Sequence, residues 1–147
     1  MIKKKQININ VDIHEGYVLE VYNNYSFLIT NKIPNTKSQD EIKEETKFLI
    51  MFNNIFLPNK NGRFDEKTIT KIACAELKNM LLNKTITIYN PKYFLQKAGS
   101  SKKIKVIFGD VYLDNLYVNH WLVDNKYAVS NYIVPSNWLT YKLKGIY

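Results

Sequence analysis

Few side chains in this sequence can do chemistry, and their spacing decides which chemistry is open. His14 and His120 are the only histidines, Cys74 is the only cysteine and Arg63 the only arginine. A histidine pair holding a transition metal needs a third ligand. Cys74 lies between Ala73 and Ala75, where a packed helical position is expected instead. Cys74 with either histidine has the residue types of a nucleophile dyad, but no acid is placed to orient the base. Asp40, Glu41, Glu44 and Glu45 make an acidic stretch, read as a solvated loop, with a weak cation site or partner contact as the other reading. Gly99-Ser100-Ser101-Lys102-Lys103 lacks the spacing of a phosphate-cradling P-loop. Neither a metal nor another cofactor is expected.

Charge is the stronger signal. The chain has 21 basic and 13 acidic residues, a formal +8, which draws polyanions and also keeps a surface soluble. All the bases but Arg63 are lysines, point charges that hold phosphate loosely and lack the bidentate grip of guanidinium. Lys92, Lys97, Lys102 and Lys103 are interleaved with Tyr89, Tyr93 and Phe94. Aromatics in a basic groove are how OB-type folds stack and hold single strands, so these lysines are candidate nucleic-acid contacts. Aromatic residues in this number are more often core or lid than base platforms. Lys3, Lys4 and Lys5 are a second candidate set, either a phosphate-seeking arm or the charged guard of an edge strand.

These residues need a scaffold. At 147 residues, with 46% hydrophobic and 14% aromatic side chains, the chain has material for one domain with its own core. That composition excludes collagen-like and disordered chains. No apolar run approaches the roughly 18 residues of a membrane span, and Met1-Ile2-Lys3-Lys4-Lys5 leads into polar residues, so neither a signal peptide nor membrane insertion is expected. A single cysteine suits a reducing, intracellular setting: cytoplasm, nucleus or the inside of a virion.

Ile7, Ile9, Val11 and Ile13 alternate with polar residues and predict a half-buried strand. Tyr17 to Tyr22 and Ser26 to Thr30 predict two more, joined by the turn pair Asn23-Asn24. Asn31 to Glu45 reads as a loop and Lys47 to Phe52 as a strand. Asp65 and Glu66 favour a helix N-terminus, and Ile69, Ile72, Ala73, Leu77, Met80 and Leu81 recur at helical spacing, with an end near Asn83. Thr85 to Tyr89 predicts a strand, Lys92 to Lys103 a basic loop, Ile104 to Leu113 a strand, Asp114-Asn115 a turn and Val118 to Lys126 a short helix. The aromatic tail, with Pro135 and Trp138, should pack on the body. This order suggests a mainly β fold, an OB-like five-stranded barrel with about two packed helices.

Residues 111 to 128, Val-Tyr-Leu-Asp-Asn-Leu-Tyr-Val-Asn-His-Trp-Leu-Val-Asp-Asn-Lys-Tyr-Ala, resemble the end of a staphylococcal-nuclease-like (thermonuclease) domain. That family has a strand, an Asp-Gly turn, then Val-Asn, two residues and Leu-Val. Residues 81 to 88 (Leu-Leu-Asn-Lys-Thr-Ile-Thr-Ile), 52 to 59 (Phe-Asn-Asn-Ile-Phe-Leu-Pro-Asn) and 21 to 27 (Val-Tyr-Asn-Asn-Tyr-Ser-Phe) are similar to further family segments, in family order. The likeness covers about residues 17 to 134, leaving an N-terminal extra strand or arm at 1–16 and an aromatic tail at 129–147.

Active members of that family hold Ca²⁺ with carboxylates, activate water near a glutamate and clamp phosphate with two arginines. The resemblance sets the two metal-binding aspartates on Tyr25 and Phe56, the glutamate on Asn59, and the arginines on Met51 and Val106. None of these can take the family role: calcium needs anionic oxygen ligands, and an amide takes up no proton near neutral pH. Losing one electrostatic stabiliser typically costs about 10²–10³ in rate, and here all are replaced together. The resemblance therefore implies a catalytically inactive nuclease-like module for binding or assembly, with Tyr25, Met51, Phe56 and Val106 as an apolar partner surface. A protein partner or self-assembly is expected first. The alternative is non-specific DNA or RNA binding through lysines of the former substrate groove, and the remote one a residual Ca²⁺-dependent hydrolase. Resemblance and lysine- and asparagine-rich composition together suit a minor structural protein of a large DNA virus.

Overall fold

The structure, a computed structural model, describes residues 4–6, 13–31, 46–98, 102–130 and 134–144, with the backbone alone at 4–6, 97–98, 102 and 144. Alternation becomes strand wherever one face can be buried. The strands are β1 (Lys4–Gln6), β2 (Ile13–Val21), β3 (Phe27–Thr30), β4 (Lys47–Phe52), β5 (Thr85–Ala98), β6 (Lys102–Leu113) and β7 (Leu116–Tyr117). The helices are α1 (Phe64–Leu81), α2 (Val118–Asp124) and α3 (Trp138–Lys144). Of the alternation beginning at Ile7, only Ile13 falls among the described residues. So does only Asn31 of the expected acidic loop, and none of Gly99-Ser100-Ser101 does.

β2, β3, β4, β6 and β5 pair in that order, and β5 returns to β2, so five strands close into a barrel. All pairings are antiparallel except β4 with β6. The parallel crossover between β4 and β6 takes in α1 and β5. A closed five-stranded mixed barrel with a helix between its third and fourth strands is an OB-like fold. β1 adds to the outer edge of β5, setting Lys4 opposite Gln96 and Lys5 opposite Leu95.

Inside the barrel lie Val18, Phe27, Ile29, Ile50, Ile86, Ile88, Ile107 and Val111, each 1% exposed or less. α1 lays Ile69, Ala73, Leu77 and Leu81 into the same cluster, with Met80 partly buried against it; of the stripe its spacing predicts, Ile72 is corrected, since it lies 41% exposed beside the buried face. It ends at Leu81, and Asn83 takes φ 63°, the left-handed conformation that asparagine tolerates after a helix. At Gly109 a Cβ would lie 2.2 Å from Ile88 Cγ2, so glycine lets β6 cross close to β5.

Among the elements, one expectation is corrected and one is extended. The basic loop expected at 92–103 is instead the two arms of a long β5–β6 hairpin, pairing Lys97 with Lys103 and Ala98 with Lys102. Asn90 at φ 53° and Pro91 form a bulge that shifts the register between Tyr89 and Lys92 without ending the strand. The extension is a third helix. The tail packs as expected, but Trp138, fully buried, opens α3, and that helix rests on α1.

Arg63 and Asp65 hold the tail in place. Asp65 Oδ2 accepts the Trp138 backbone N–H at 2.7 Å, and Arg63 Nη1 donates to the Ser136 carbonyl at 2.6 Å. Asn119 does similar work for α2. Its Oδ1 accepts from Val111 N–H at 2.9 Å, and its Nδ2 donates to the carbonyls of Asn53 (3.0 Å) and Gly109 (3.3 Å). With Val118 and Leu122 wholly buried, this accounts physically for the Val-Asn-x-x-Leu-Val pattern of residues 118 to 123.

Candidate functional site

The five positions singled out by the resemblance do not form one surface. Tyr25, in the β2–β3 turn, is 1% exposed and belongs to the core. Its hydroxyl donates to the Tyr127 carbonyl at 2.8 Å, and burial pushes the phenol far above its ordinary range. Asn24 Oδ1 supports the turn by accepting from both the backbone N–H and the hydroxyl of Ser26. Val106 is 0% exposed. It points outward from the barrel but is flanked in register on that face by Leu49 and Phe94. Tyr25 and Val106 are therefore corrected as partner-surface residues: one is inside, the other covered.

Met51 is half-buried on β4, opposite Phe108 of β6. Because register partners of a parallel pair share a face, Met51 and Val106 are diagonal neighbours on the outer face of β4 and β6. The Phe94 ring meets Phe108 edge-on at 5.5 Å, so this face is apolar from β4 across to Phe94 of β5, with the exposed Lys92 opposite Phe108 at its border. Phe56, 39% exposed, is held elsewhere by a two-way backbone bridge to Val129.

Asn59 is exposed and shapes its own loop. Its Oδ1 accepts from Asn61 N–H at 2.9 Å, and its own N–H donates to Glu66 Oε2 at 2.8 Å. That bond from Asn59, with help from Arg63, holds the Glu66 carboxyl below its usual range. Arg63 is engaged with Asp65, Glu66 and Ser136, so the one guanidinium of the chain serves the start of α1.

The histidines are also engaged. His14 Nε2 lies 2.9 Å from Asn31 Oδ1 and Nδ1 lies 2.8 Å from the Tyr93 hydroxyl. A neutral ring with its proton on Nε2 satisfies both. Burial pushes its pKa down, and Lys105 adds to that, against a smaller upward pull from Asn31. His120 lies 3.5 Å from Asp124, one turn along α2. Cys74 is buried, which raises its thiol pKa.

The lysines singled out in the sequence are dispersed. Lys92 and Lys103 are exposed on the β5–β6 hairpin, whereas the side chains of Lys97, Lys102, Lys4 and Lys5, and all of Lys3, lie outside the described residues. The lysines that do converge are others. A cleft of about 460 Å³ separates α1 from the end of β2 and its turn, lined by Val21, Tyr22 and Asn23 on one side and Lys60, Lys67, Lys71 and Lys78 on the other. At 3.6 residues per turn, Lys67, Lys71 and Lys78 fall within an arc of about 40°. The core stripe from Ile69 to Leu81 is turned away from them. Their spacing is the signal in the sequence that would have found them.

No family model matches the chain, and no curated protein matches it.

Proposed function

We propose that this protein is a catalytically inactive, nuclease-like OB barrel that works as a binding or assembly module. The observation that carries the reading is the state of the five positions just described. Where hydrolysis of a phosphodiester would need anionic metal ligands, a base and two guanidinium clamps, the chain has Tyr25 in the core and Val106 under neighbouring side chains. Met51, Phe56 and Asn59 complete the set without an ionisable group among them. Arg63 and Glu66, which have the right chemistry, are bonded to each other and to the 59–63 loop.

The surface offered to a protein partner is the outer face of β4 and β6, where Met51 and Phe108 sit beside Leu49 and Phe94 over the covered Val106. Apolar side chains gathered on an outer sheet face suit protein contact better than phosphate.

The test is a cleavage assay on single- and double-stranded DNA and RNA with Ca²⁺, alongside sedimentation velocity of the wild type and Met51→Glu. Intact substrates are expected, together with association of the wild type that the glutamate weakens at least tenfold. Ca²⁺-dependent cleavage abolished by EDTA would refute the reading.

A further inference from the structure

We infer that the cleft between α1 and the β2–β3 turn is a binding site for the phosphates of a single nucleic-acid strand, held by Lys67, Lys71 and Lys78 with Lys60 at its edge. It is a second surface, sharing no residue with the β4–β6 face, and it does not depend on what that face binds.

Charge is the first argument. Four lysines line one concavity, all four are exposed, and among the described residues no acidic side chain lines it with them. Of the acids on the helix, Glu66, next to Lys67, lies about 120° around from the lysine stripe and is bonded to Asn59 and Arg63, and Glu76 lies about 160° around and is hydrogen-bonded to Tyr127. Like charges gathered without counter-charge raise the local concentration of an anion. They also cost the free protein some repulsion, which a phosphate chain would relieve.

Geometry selects a chain over a single ion. Along α1 the rise from Lys67 to Lys71 is about 6 Å and from Lys71 to Lys78 about 10.5 Å. Such a track spans several consecutive phosphates of a strand, whereas one inorganic phosphate would engage only part of it. The cleft volume, about 460 Å³, is that of a small-ligand pocket and admits a nucleotide or two of one strand, not a duplex. Tyr22 lines the facing wall, and an aromatic side chain is the element on which bases stack in sequence-tolerant binding. In the floor, Thr70 is 2% exposed and its hydroxyl has no partner among the described residues. Lysine gives point-charge contacts, not bidentate base readout, so binding should be independent of sequence.

The test is fluorescence anisotropy of a labelled 12-nucleotide oligothymidylate against the full chain at about 50 and 200 mM salt, with a duplex of the same length and inorganic phosphate as competitors. For three or four phosphates and a slope of about −0.7 per phosphate on a single strand, affinity should fall about 20- to 50-fold between those salts. K67Q/K71Q/K78Q should bind at least tenfold more weakly at the lower salt and lose about two from the slope. These exposed positions accept glutamine, a good helix former, and an unchanged urea midpoint would confirm the fold. K92Q/K103Q should bind as the wild type does. The inference is overturned if the wild type shows no salt-sensitive binding, if the α1 variant binds like the wild type, if the hairpin variant loses as much, or if the duplex competes as well as the strand.

Discussion

Replacing Tyr25 by the aspartate that the nuclease resemblance would put there should cost the protein its stability and restore no chemistry. The Tyr25 ring is 1% exposed within the barrel core. Removing most of a buried aromatic side chain costs about 3–5 kcal/mol in lost contacts and cavity. The Tyr127 carbonyl would lose the hydroxyl now donated to it at 2.8 Å, and an unpaired buried acceptor costs a further 1–3 kcal/mol or so. A carboxyl in that setting must stay protonated or carry an unpaired charge out of water. One term opposes these. Tyr25 has φ 68°, and aspartate tolerates the left-handed region better than tyrosine, returning roughly 1 kcal/mol. The net loss is at least about 3 kcal/mol before the cost of the carboxyl is added, out of the 5–15 or so that such domains possess. Tyr25→Phe keeps the ring and isolates the hydrogen bond, so it should lose about 1–3 kcal/mol. Urea unfolding followed by the fluorescence of Trp121 and Trp138 measures both, with the slope against denaturant checking that the same surface unfolds. Tyr25→Asp within 1 kcal/mol of wild type would refute the burial argument. So would stabilisation by millimolar Ca²⁺, because a ligand that binds only the folded state raises its stability.

Three further predictions share that urea assay. Asn119→Ala should lose about 3 kcal/mol, from two buried hydrogen bonds and one part-buried one at roughly 1 kcal/mol each, and a loss below 1 would mean that α2 is held by Val118 and Leu122 alone. Trp138→Ala should lose about 3–5 kcal/mol by emptying the space between α3 and α1; an unchanged midpoint would show that the tail packs without contributing. His14 is held below its ordinary pKa of about 6.5, chiefly by burial, so the unfolded chain binds its proton first as pH falls. Its contribution is therefore complete above about pH 6.5 and is lost as pH falls below that toward the lowered pKa of the folded state. The midpoint should drop over that interval less in His14→Gln than in the wild type; equal drops would assign the dependence to other groups.

The barrel is legible in the sequence because its strands obey period two and its main helix obeys 3.6. Lys47 to Phe52 alternates half-buried and buried residues throughout, and the stripe from Ile69 to Leu81 lies against the core. The local signals mislead where tertiary contacts override them. Asn90-Pro91 has the composition of a strand terminator, yet β6 pairs on both sides of it and absorbs it as a bulge. Pro135 argues for an irregular tail, yet Trp138 is drawn into α3 by the carboxylate of Asp65, 73 positions away.

The candidate site follows the same physics with the opposite outcome. Tyr25 sits among Asn23, Asn24 and Ser26, a setting that reads as surface turn, and its burial depends on Tyr127, 102 positions downstream. No local pattern carries that contact. The lysines of α1 are legible, but only after the helix has been drawn. Runs such as Lys102-Lys103 catch the eye because they are adjacent, whereas in a strand adjacent residues point to opposite faces. Lysines spaced by four and seven on a helix return to one face, so Lys67, Lys71 and Lys78 concentrate their charge along a single wall. Convergence, not local density, gives a basic protein a place to hold an anion, which makes α1, rather than the richer-looking β5–β6 hairpin, the element to mutate first.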